Sequence, residues 1–424
     1  MLDIQLFRNE PERVAAGIVA KKADPEAVAA VRTLDQRRRD TTFRAEQLKK
    51  ERNDVSKQVG KILKEKGDAE ALKARVREIG EETAALDATL AVVERELHAI
   101  LLRVPNLPHA STPAGESEED NVVVRVEGAK PAFDFAPKAH WDLGDALGIL
   151  DLERGARMSG SGFYILKGPG AQLQRALISY MLDMHVTKHG YTEMRVPYLV
   201  NSQTMTGTGQ LPKMEDDMYR IAAEDLFLIP TAEVPVTNYH AGEILDASDL
   251  PRAYVAYTPC FRREAGAAGK ENRGMTRVHQ FDKVEMVRTV LPETSYDEIE
   301  ILLGHAEDVL KSLGLHYRIL SLCTGDLSFA AAKCYDIEVW APGMDRFLEV
   351  SSCSNFEDFQ ARRAGIRFRR EKGAKPEFAH TLNASGVALP RLMIAILEAF
   401  QQSDGTVVVP EPLRPYMGGR ERIA

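Results

Sequence analysis

Between Thr258 and Met286 the residues able to do chemistry are crowded and regularly spaced. Apolar residues lead up to Arg262 and predict a strand. A run rich in glycine and alanine over 265–275 predicts a mobile loop, and Thr276 to Val287 alternates as a second strand would. Strand side chains alternate faces with a period of two. Arg277, His279, Phe281, Lys283 and Glu285 then share one face, with Val278, Val284 and Met286 on the other, while Arg262 and Glu264 share a face of the incoming strand. Arg277, Phe281 and Glu285 lie four residues apart, roughly 13 Å per step along an extended strand. Guanidinium groups hold anions, a ring stacks on a flat base and a carboxylate holds an ammonium, so the layout suits a ligand carrying all three. A charged outer face of an antiparallel sheet accounts equally for Arg277 and Glu285, but less well for a ring between them beside a glycine-rich loop.

Two kinds of element must position these residues. From Leu72 the apolar residues Leu72, Val76, Ile79, Leu86, Leu90, Val93, Leu97, Ile100 and Val104 recur in alternating steps of four and three, with Thr83 in the one missing place. That is a heptad seam. A less regular series, Val31, Leu34, Ala45, Leu48, Val55, Val59 and Ile62, precedes it and is interrupted by Arg38, Thr41 and Arg52. Gly67 is placed to end the first helix and Asp68 to cap the second. Helices joined by so short a turn run antiparallel, and each, at about 50 Å, is too long for a compact domain to cover, so the hairpin is expected to project into solvent. Its first helix is rich in arginine and lysine. These are either ordinary solvated cations or a phosphate-contacting stripe, and the hairpin alone does not decide. After Val104, Pro105 and Pro108 break the helix, an exposed polar loop is expected over Ser111–Asn121, and the pattern becomes mixed helix and strand.

At 424 residues the chain suggests two or three domains, and its 44% hydrophobic content is enough for a large core. A net charge of −8 means that any nucleic-acid contact must come from a local basic surface. Cys260, Cys323, Cys334 and Cys353 lack metal-ligand spacing and read as buried thiols of a reducing compartment. No run approaches a membrane span and no leader pattern opens the chain, so cytoplasmic residence is expected.

The run Phe261–Glu264, Arg273–Met275 and Arg277–Phe281 resembles motif 2 of the class II aminoacyl-tRNA synthetases, in its seryl, bacterial form. Thr231-Ala232-Glu233 looks like the serine-pocket signature of that family. Glu349–Phe356, Thr381–Gly386 and Pro390–Leu392 resemble its later nucleotide-binding and motif 3 segments, and Gly190–Val200 resembles motif 1 more weakly. The run Val409–Gly419 is also family-like, and the helical hairpin resembles the family's tRNA-binding arm. The matches cover almost the whole chain in order. One departure is Ala384, where the family usually carries glycine and where a methyl group restricts the backbone.

The resemblance implies an α+β architecture: a long N-terminal antiparallel coiled-coil arm and a catalytic domain on an antiparallel sheet flanked by helices. It implies a tRNA-binding domain over 1–105, with the arm at about 27–104, and a catalytic domain over 106–424. The implied activity is serine–tRNA ligation through seryl-adenylate. Arg262 and Arg391 are implied as catalytic. ATP contacts are implied for Arg262, Arg263, Glu264, Arg277, Phe281, Glu349, Val350, Ser351, Ser352 and Arg391, with Glu264 reading the adenine amino group, Phe281 stacking on the base and Arg277 and Arg391 holding the γ-phosphate. Glu349 and Ser352 are implied to coordinate Mg2+ with the phosphates. Serine contacts are implied for Thr231, Ala232, Glu233, Arg262, Glu285, Asn383 and Ser385. No zinc is expected, and His185, His189 and His279 read as ordinary histidines. The implied partners are tRNA(Ser), L-serine and a second copy through motif 1, around Pro197, with tRNA(Sec) as a further substrate where present. The competing readings are a synthetase-like paralogue that loads a carrier protein and a non-catalytic coiled-coil interaction protein.

Overall fold

The computed structural model describes residues 1–265 and 273–424. They form two compact units, Leu2–Pro105 and Asn106–Ala424, with Met1 grouped with the second.

In the first unit two short helices, α1 (Ile4–Asn9) and α2 (Pro11–Ala20), precede two long ones, α3 (Glu26–Lys64) and α4 (Glu70–Leu101). Asp3 caps α1 by accepting from the Gln5 N–H, and Pro11 opens α2, where a missing N–H costs nothing. The 39 residues of α3 span about 58 Å. Ion pairs Arg44–Glu82 at 2.9 Å, Lys49–Asp87 at 3.1 Å and Glu51–Arg75 at 2.8 Å join the long helices, which run antiparallel. Val28, Val31, Ala45 and Leu48 of α3 are buried, as are Ile79, Thr83, Val93 and Leu97 of α4. Nearer the turn only two helices meet, so Val55, Val59, Ile62, Leu72 and Val76 stay half-buried.

Three details depart from the heptad reading. Lys66, not Gly67, takes the left-handed position after α3 (φ 55°), and the Gly67 N–H closes the end by donating to the Ile62 carbonyl at 3.0 Å. Ala69 is the residue before α4, although the Asp68 carboxylate does accept from the Glu70 N–H at 2.9 Å. Val104 lies beyond α4. The interruption at Arg38 has a cause outside the seam: Asp35, buried in α3, accepts from Arg8 Nε and Nη2 at 2.7 Å each and from Arg38 at 3.1 Å, with Arg39 at 3.2 Å. The Arg8 hydrogen bond, aided by its charge and by Arg38, holds the Asp35 carboxyl below its ordinary range against the effect of burial.

The second unit is built on an eight-stranded sheet. Its strands are β1 (Val122–Glu127), β2 (Thr192–Glu193), β3 (Arg252–Phe261), β4 (Gln280–Val290), β5 (Tyr317–Ser321), β6 (Lys333–Ala341), β7 (Arg346–Asn355) and β8 (His380–Ala388), in the order β1-β5-β6-β7-β8-β4-β3-β2. Every pairing is antiparallel except that of the short edge strand β2 with β3. Helices α5 (Pro169–Thr187), α6 (Ser295–Ser312) and α7 (Leu389–Ala399) bring Leu173, Leu177, Ile299, Leu302, Leu392 and Ile396 into one core with Val284, Met286, Ile337, Val350 and Leu382 from the strands. The central strands therefore have one face committed to apolar packing, which leaves the opposite face for polar side chains. All four cysteines are buried and unpaired. Among the described residues no helix is long and apolar enough to cross a membrane.

Candidate active site

Strands β3 and β4 pair with Phe261 opposite Gln280, Cys260 opposite Phe281 and Ala256 opposite Glu285. Pairing extends one step further, where the Arg262 N–H donates to the His279 carbonyl at 3.0 Å. Val284 and Met286 are buried in the core, while Phe281 and Arg262 face each other, the Arg262 guanidinium carbon lying 5.2 Å from the ring centroid. Arg262 Nε also donates to the Pro230 carbonyl at 3.3 Å. The two strands are shorter than the alternation predicts. β4 starts at Gln280, so bends rather than a pleat place Arg277, and Glu264 sits in the left-handed region (φ 51°), out of phase with Arg262. That turn allows Glu264 and Arg277 to pair directly, at 2.6 Å. Arg263 is exposed and donates to the Asp216 carbonyl at 3.2 Å.

The mobile loop read over 265–275 falls largely on residues 266–272, outside the described residues. Its outgoing end is anchored: Arg273 lies over the Trp141 ring at 4.5 Å, and the buried Met275 donates its N–H to His140 Nε2 at 3.0 Å.

A second group forms on β7. The register of β6 against β7 pairs Ile337 with Ser351 and Glu338 with Glu349, so Val350 is an extra residue on β7. Such a bulge reverses the parity of alternation, and Glu349 and Ser352, three apart, come to face the same side, where the Ser352 hydroxyl donates to Glu349 Oε1 at 2.9 Å. Val350 points into the core, and Ser351 turns inward to donate to the Ser385 carbonyl at 2.6 Å. Any ligand contact by these two is through the main chain. Arg391, in the first turn of α7 behind Pro390, donates from Nη1 to the Glu349 carbonyl at 2.8 Å and lies 3.4 Å from Glu349 Oε2. Burial works to raise the Glu349 carboxyl, but Arg391, the Ser352 hydroxyl and Arg262 outweigh it and hold the group below its usual range. Asp336, opposite Ser352 on β6, is pushed well above its ordinary range by burial and then by the Glu349 charge.

A third group lies deeper. Glu285 and Lys283 on β4 form an ion pair at 2.5 Å, and Lys283 also donates to Thr231 Oγ1 at 2.9 Å. Ser385 on β8, opposite Glu285, donates to Glu285 Oε2 at 3.5 Å. Glu233 opens a short helix, Glu233–Thr237, and is 7% exposed. Burial first, then the Glu285 charge, push its carboxyl up to about 7, against Gln360, Lys283 and Arg262, which pull it down. Asn383 is buried in the same segment of β8 as Ser385, while the Ala232 side chain packs into a separate apolar cluster with Val196, Val236 and Ala256. Ala384 is fully buried in the core within β8 and its φ is not positive, so its methyl group sits in an extended backbone that any residue adopts.

Arg262 connects these groups, since its charge acts on both Glu349 and Glu233. The arrangement offers paired cations and oxygen donors at one end, a cation-covered ring in the middle and a small polar pocket with two carboxylates at the other. Three of its members carry no role in the sequence reading. Lys283 stands on the right face but matches no expected function. Asp336 and Gln360 lie outside every motif, and only the strand register and the approach of the helix Phe359–Ala364 reveal them.

Residues 214–400 match the family of the tRNA synthetase class II core domain (G, H, P, S and T), and residues 1–108 match the seryl-tRNA synthetase N-terminal domain. The chain is 57% identical over 423 residues to a serine–tRNA ligase of Herpetosiphon aurantiacus, covering 100% of both proteins. Among solved structures it is similar to a seryl-tRNA synthetase of Pyrococcus horikoshii complexed with ATP, with a TM-score of 0.95, 38% identity and coverage of 100% of this chain and 99% of that one. It is also similar to a cytoplasmic serine–tRNA ligase of Naegleria fowleri in complex with AMP, with a TM-score of 0.89, 31% identity and coverage of 100% and 98%. Neither the carrier-loading paralogue nor the non-catalytic coiled-coil protein finds support in these relatives. The chain belongs to the seryl-tRNA synthetase family, the serine–tRNA ligases of class II.

Proposed function

We propose that the three groups joined through Arg262 bind ATP and L-serine for two successive steps. A serine carboxylate oxygen attacks the α-phosphorus of ATP and pyrophosphate leaves. A 3′-terminal ribose hydroxyl of tRNA(Ser), and of tRNA(Sec) where present, then attacks the carbonyl carbon of seryl-adenylate, and AMP leaves. Neither step forms a bond to the protein, so rate enhancement comes from positioning and charge stabilisation. The observation that carries this reading is Arg262, which lies over Phe281 and donates to the Pro230 carbonyl next to Thr231, and whose charge acts on both Glu349 and Glu233. A guanidinium fork there grips the serine carboxylate and the α-phosphate together.

Phe281 stacks on adenine under Arg262, and Glu264 accepts from the adenine amino group. Arg277 and Arg391 take the γ-phosphate, so nucleotide entry exchanges the Glu264–Arg277 pair for ligand contacts. Arg263 joins from the rim, and Val350 and Ser351 contribute main-chain contacts. Glu349 and Ser352 present only oxygen donors, which suits a hard cation such as Mg2+ shared with the phosphates. Bound there, the ion would neutralise phosphate charge. Glu349 and Ser352 would hold such an ion together with phosphate oxygens of the nucleotide.

Glu285 takes the serine ammonium, and Thr231, Glu233, Asn383 and Ser385 surround its side chain, with Ala232 contributing its backbone. A pocket that hydrogen-bonds the hydroxyl rejects alanine because its own polar groups are left unpaired. The α3–α4 hairpin holds the tRNA, the segment Gly190–Val200 with Pro197 forms a homodimer contact, and the protein works in the cytoplasm. Amino-acid-dependent exchange of pyrophosphate into ATP, run over a panel of amino acids, tests the reading: exchange is expected with serine and only weakly with threonine, cysteine or alanine. Absence of serine-dependent exchange would overturn it.

A further inference from the structure

Behind the serine pocket lies a buried side chain that no part of the reading above uses. Gln360, in the helix Phe359–Ala364, is fully buried. Its amide nitrogen donates to the Thr208 carbonyl at 3.2 Å and to Glu233 Oε1 at 2.5 Å, and its amide oxygen accepts from the Thr381 hydroxyl at 2.7 Å. A backbone carbonyl only accepts, so the nitrogen must face Thr208, and the amide cannot be turned around. Both N–H groups are then committed, and Glu233 Oε1 is an acceptor. Glu233 Oε2 bonds to no other described residue, and any proton the carboxyl carries is on that atom.

We propose that Gln360 is a positioning residue for serine selection, which occupies Glu233 from behind so that Oε2 alone is presented to the serine side chain. This rests on the placement of serine beside Glu233 proposed above. Protonated, Oε2 donates to the serine hydroxyl; ionised, it accepts from it. The groups that act on Glu233 from the surrounding elements are Glu285 and Lys283 on β4, Arg262 after β3, and Gln360 itself. Gln360 is the one among them whose hydrogen bond holds the ionised form in place from the side away from the pocket. Its loss frees the carboxyl to turn and makes it retain its proton to higher pH.

The test is pyrophosphate exchange by Gln360→Met and by the isosteric Gln360→Glu, with serine and ATP varied separately from about pH 6 to 9. For both variants the expected result is a serine KM raised about tenfold or more, an ATP KM within about twofold of the parent, and a smaller change in kcat. The bend in the serine kcat/KM profile should move to higher pH, because Gln360→Met removes the donor to Glu233 Oε1 and Gln360→Glu replaces the amide N–H with a second carboxyl that competes for the same proton. Discrimination of serine against alanine should fall in parallel. A packing defect alone would lower kcat for both substrates and leave the bend in place; that outcome, or an unchanged serine KM, overturns the role of Gln360. If Gln360→Met does not fold, Gln360→Glu alone decides. Failure of the parent protein to exchange with serine would instead overturn the placement of serine in this pocket, which keeps the two failures distinct.

Discussion

The cations of α3 divide into two sets that the sequence cannot tell apart, and the division makes the tRNA-binding proposal quantitative. Arg44 and Lys49 are engaged across the hairpin by Glu82 and Asp87. Arg32, Lys50, Lys61 and Lys64 are exposed, make no ion pair among the described residues and, unlike the equally unpaired Arg37 and Arg52, fall within about 60° of one another around the helix at 3.6 residues per turn. A cation that replaces a condensed counterion on a duplex phosphate contributes about 0.9 to the slope of log K against log salt. If all four meet phosphates, changing them together to glutamine makes that slope shallower by as much as about 3.6. Over a fourfold rise in salt this is a difference of about 150-fold in how much affinity is lost. Glutamine is a good helix former, so the arm should keep its helicity. The comparison is the double change of Arg44 and Lys49 to glutamine, which should move the slope by less than about 0.5 for each residue, because those charges are already partly neutralised. Fluorescence anisotropy with tRNA(Ser) over a salt series, with circular dichroism as a helicity control, measures both. An equal effect of the two sets, or an unchanged slope for the four aligned cations, would refute the sorting of these residues into committed and available charges.

Deleting residues 30–104 should leave serine-dependent pyrophosphate exchange within a few-fold of the parent and abolish aminoacylation; loss of both together would show that the two units do not divide the labour. Arg262→Ala should lower exchange kcat/KM by roughly 10²- to 10³-fold with an unchanged melting temperature, and a loss below tenfold would remove Arg262 from its central role. Glu233 holds its proton to about pH 7 in the folded protein, against an ordinary value of 4.5. Its contribution to stability is therefore fully present below about pH 4.5 and is lost as pH rises through 7, by about 3 kcal/mol in all. Glu233→Gln, neutral throughout, should remove that fall; urea unfolding at pH 5 and pH 8 that gives the same difference in both proteins would contradict the raised carboxyl.

The parts of the fold that were legible in the sequence are those where burial imposes a strict period. The heptads of α4 translate directly into Ile79, Thr83, Val93 and Leu97 on the covered side, and alternation along β4 puts Val284 and Met286 in the core and Lys283 and Glu285 on the other face. What was not legible depends on breaks in period that leave no mark in residue type. Nothing in Val350 distinguishes a bulge residue from any other core valine, and the left-handed turns at Glu264 and Lys66 occur at residues that rarely adopt them. Asp35, which no periodicity singles out, is the acceptor for Arg8, 27 residues away. Gln360 and Asp336 belong to the site through contacts with Glu233, 127 residues away, and with a strand neighbour across the sheet, and pairings of that range have no local signature.

The extra residue at Val350 also bears on how this site tolerates change. A strand has only two settings, in or out, so an insertion of one residue cannot be lost by degrees. Removing Val350 would restore plain alternation and leave Glu349 and Ser352 two residues apart on the same face, with Ser351 turned inward between them, whereas removing a residue of β7 outside 349–352 would set its two sides half a cycle out of phase. Point substitutions along β7 adjust the site in small steps, whereas a deletion outside the bulge moves one side of the strand as a unit. The bulge is thus the place where this strand can lose a residue and still keep its frame.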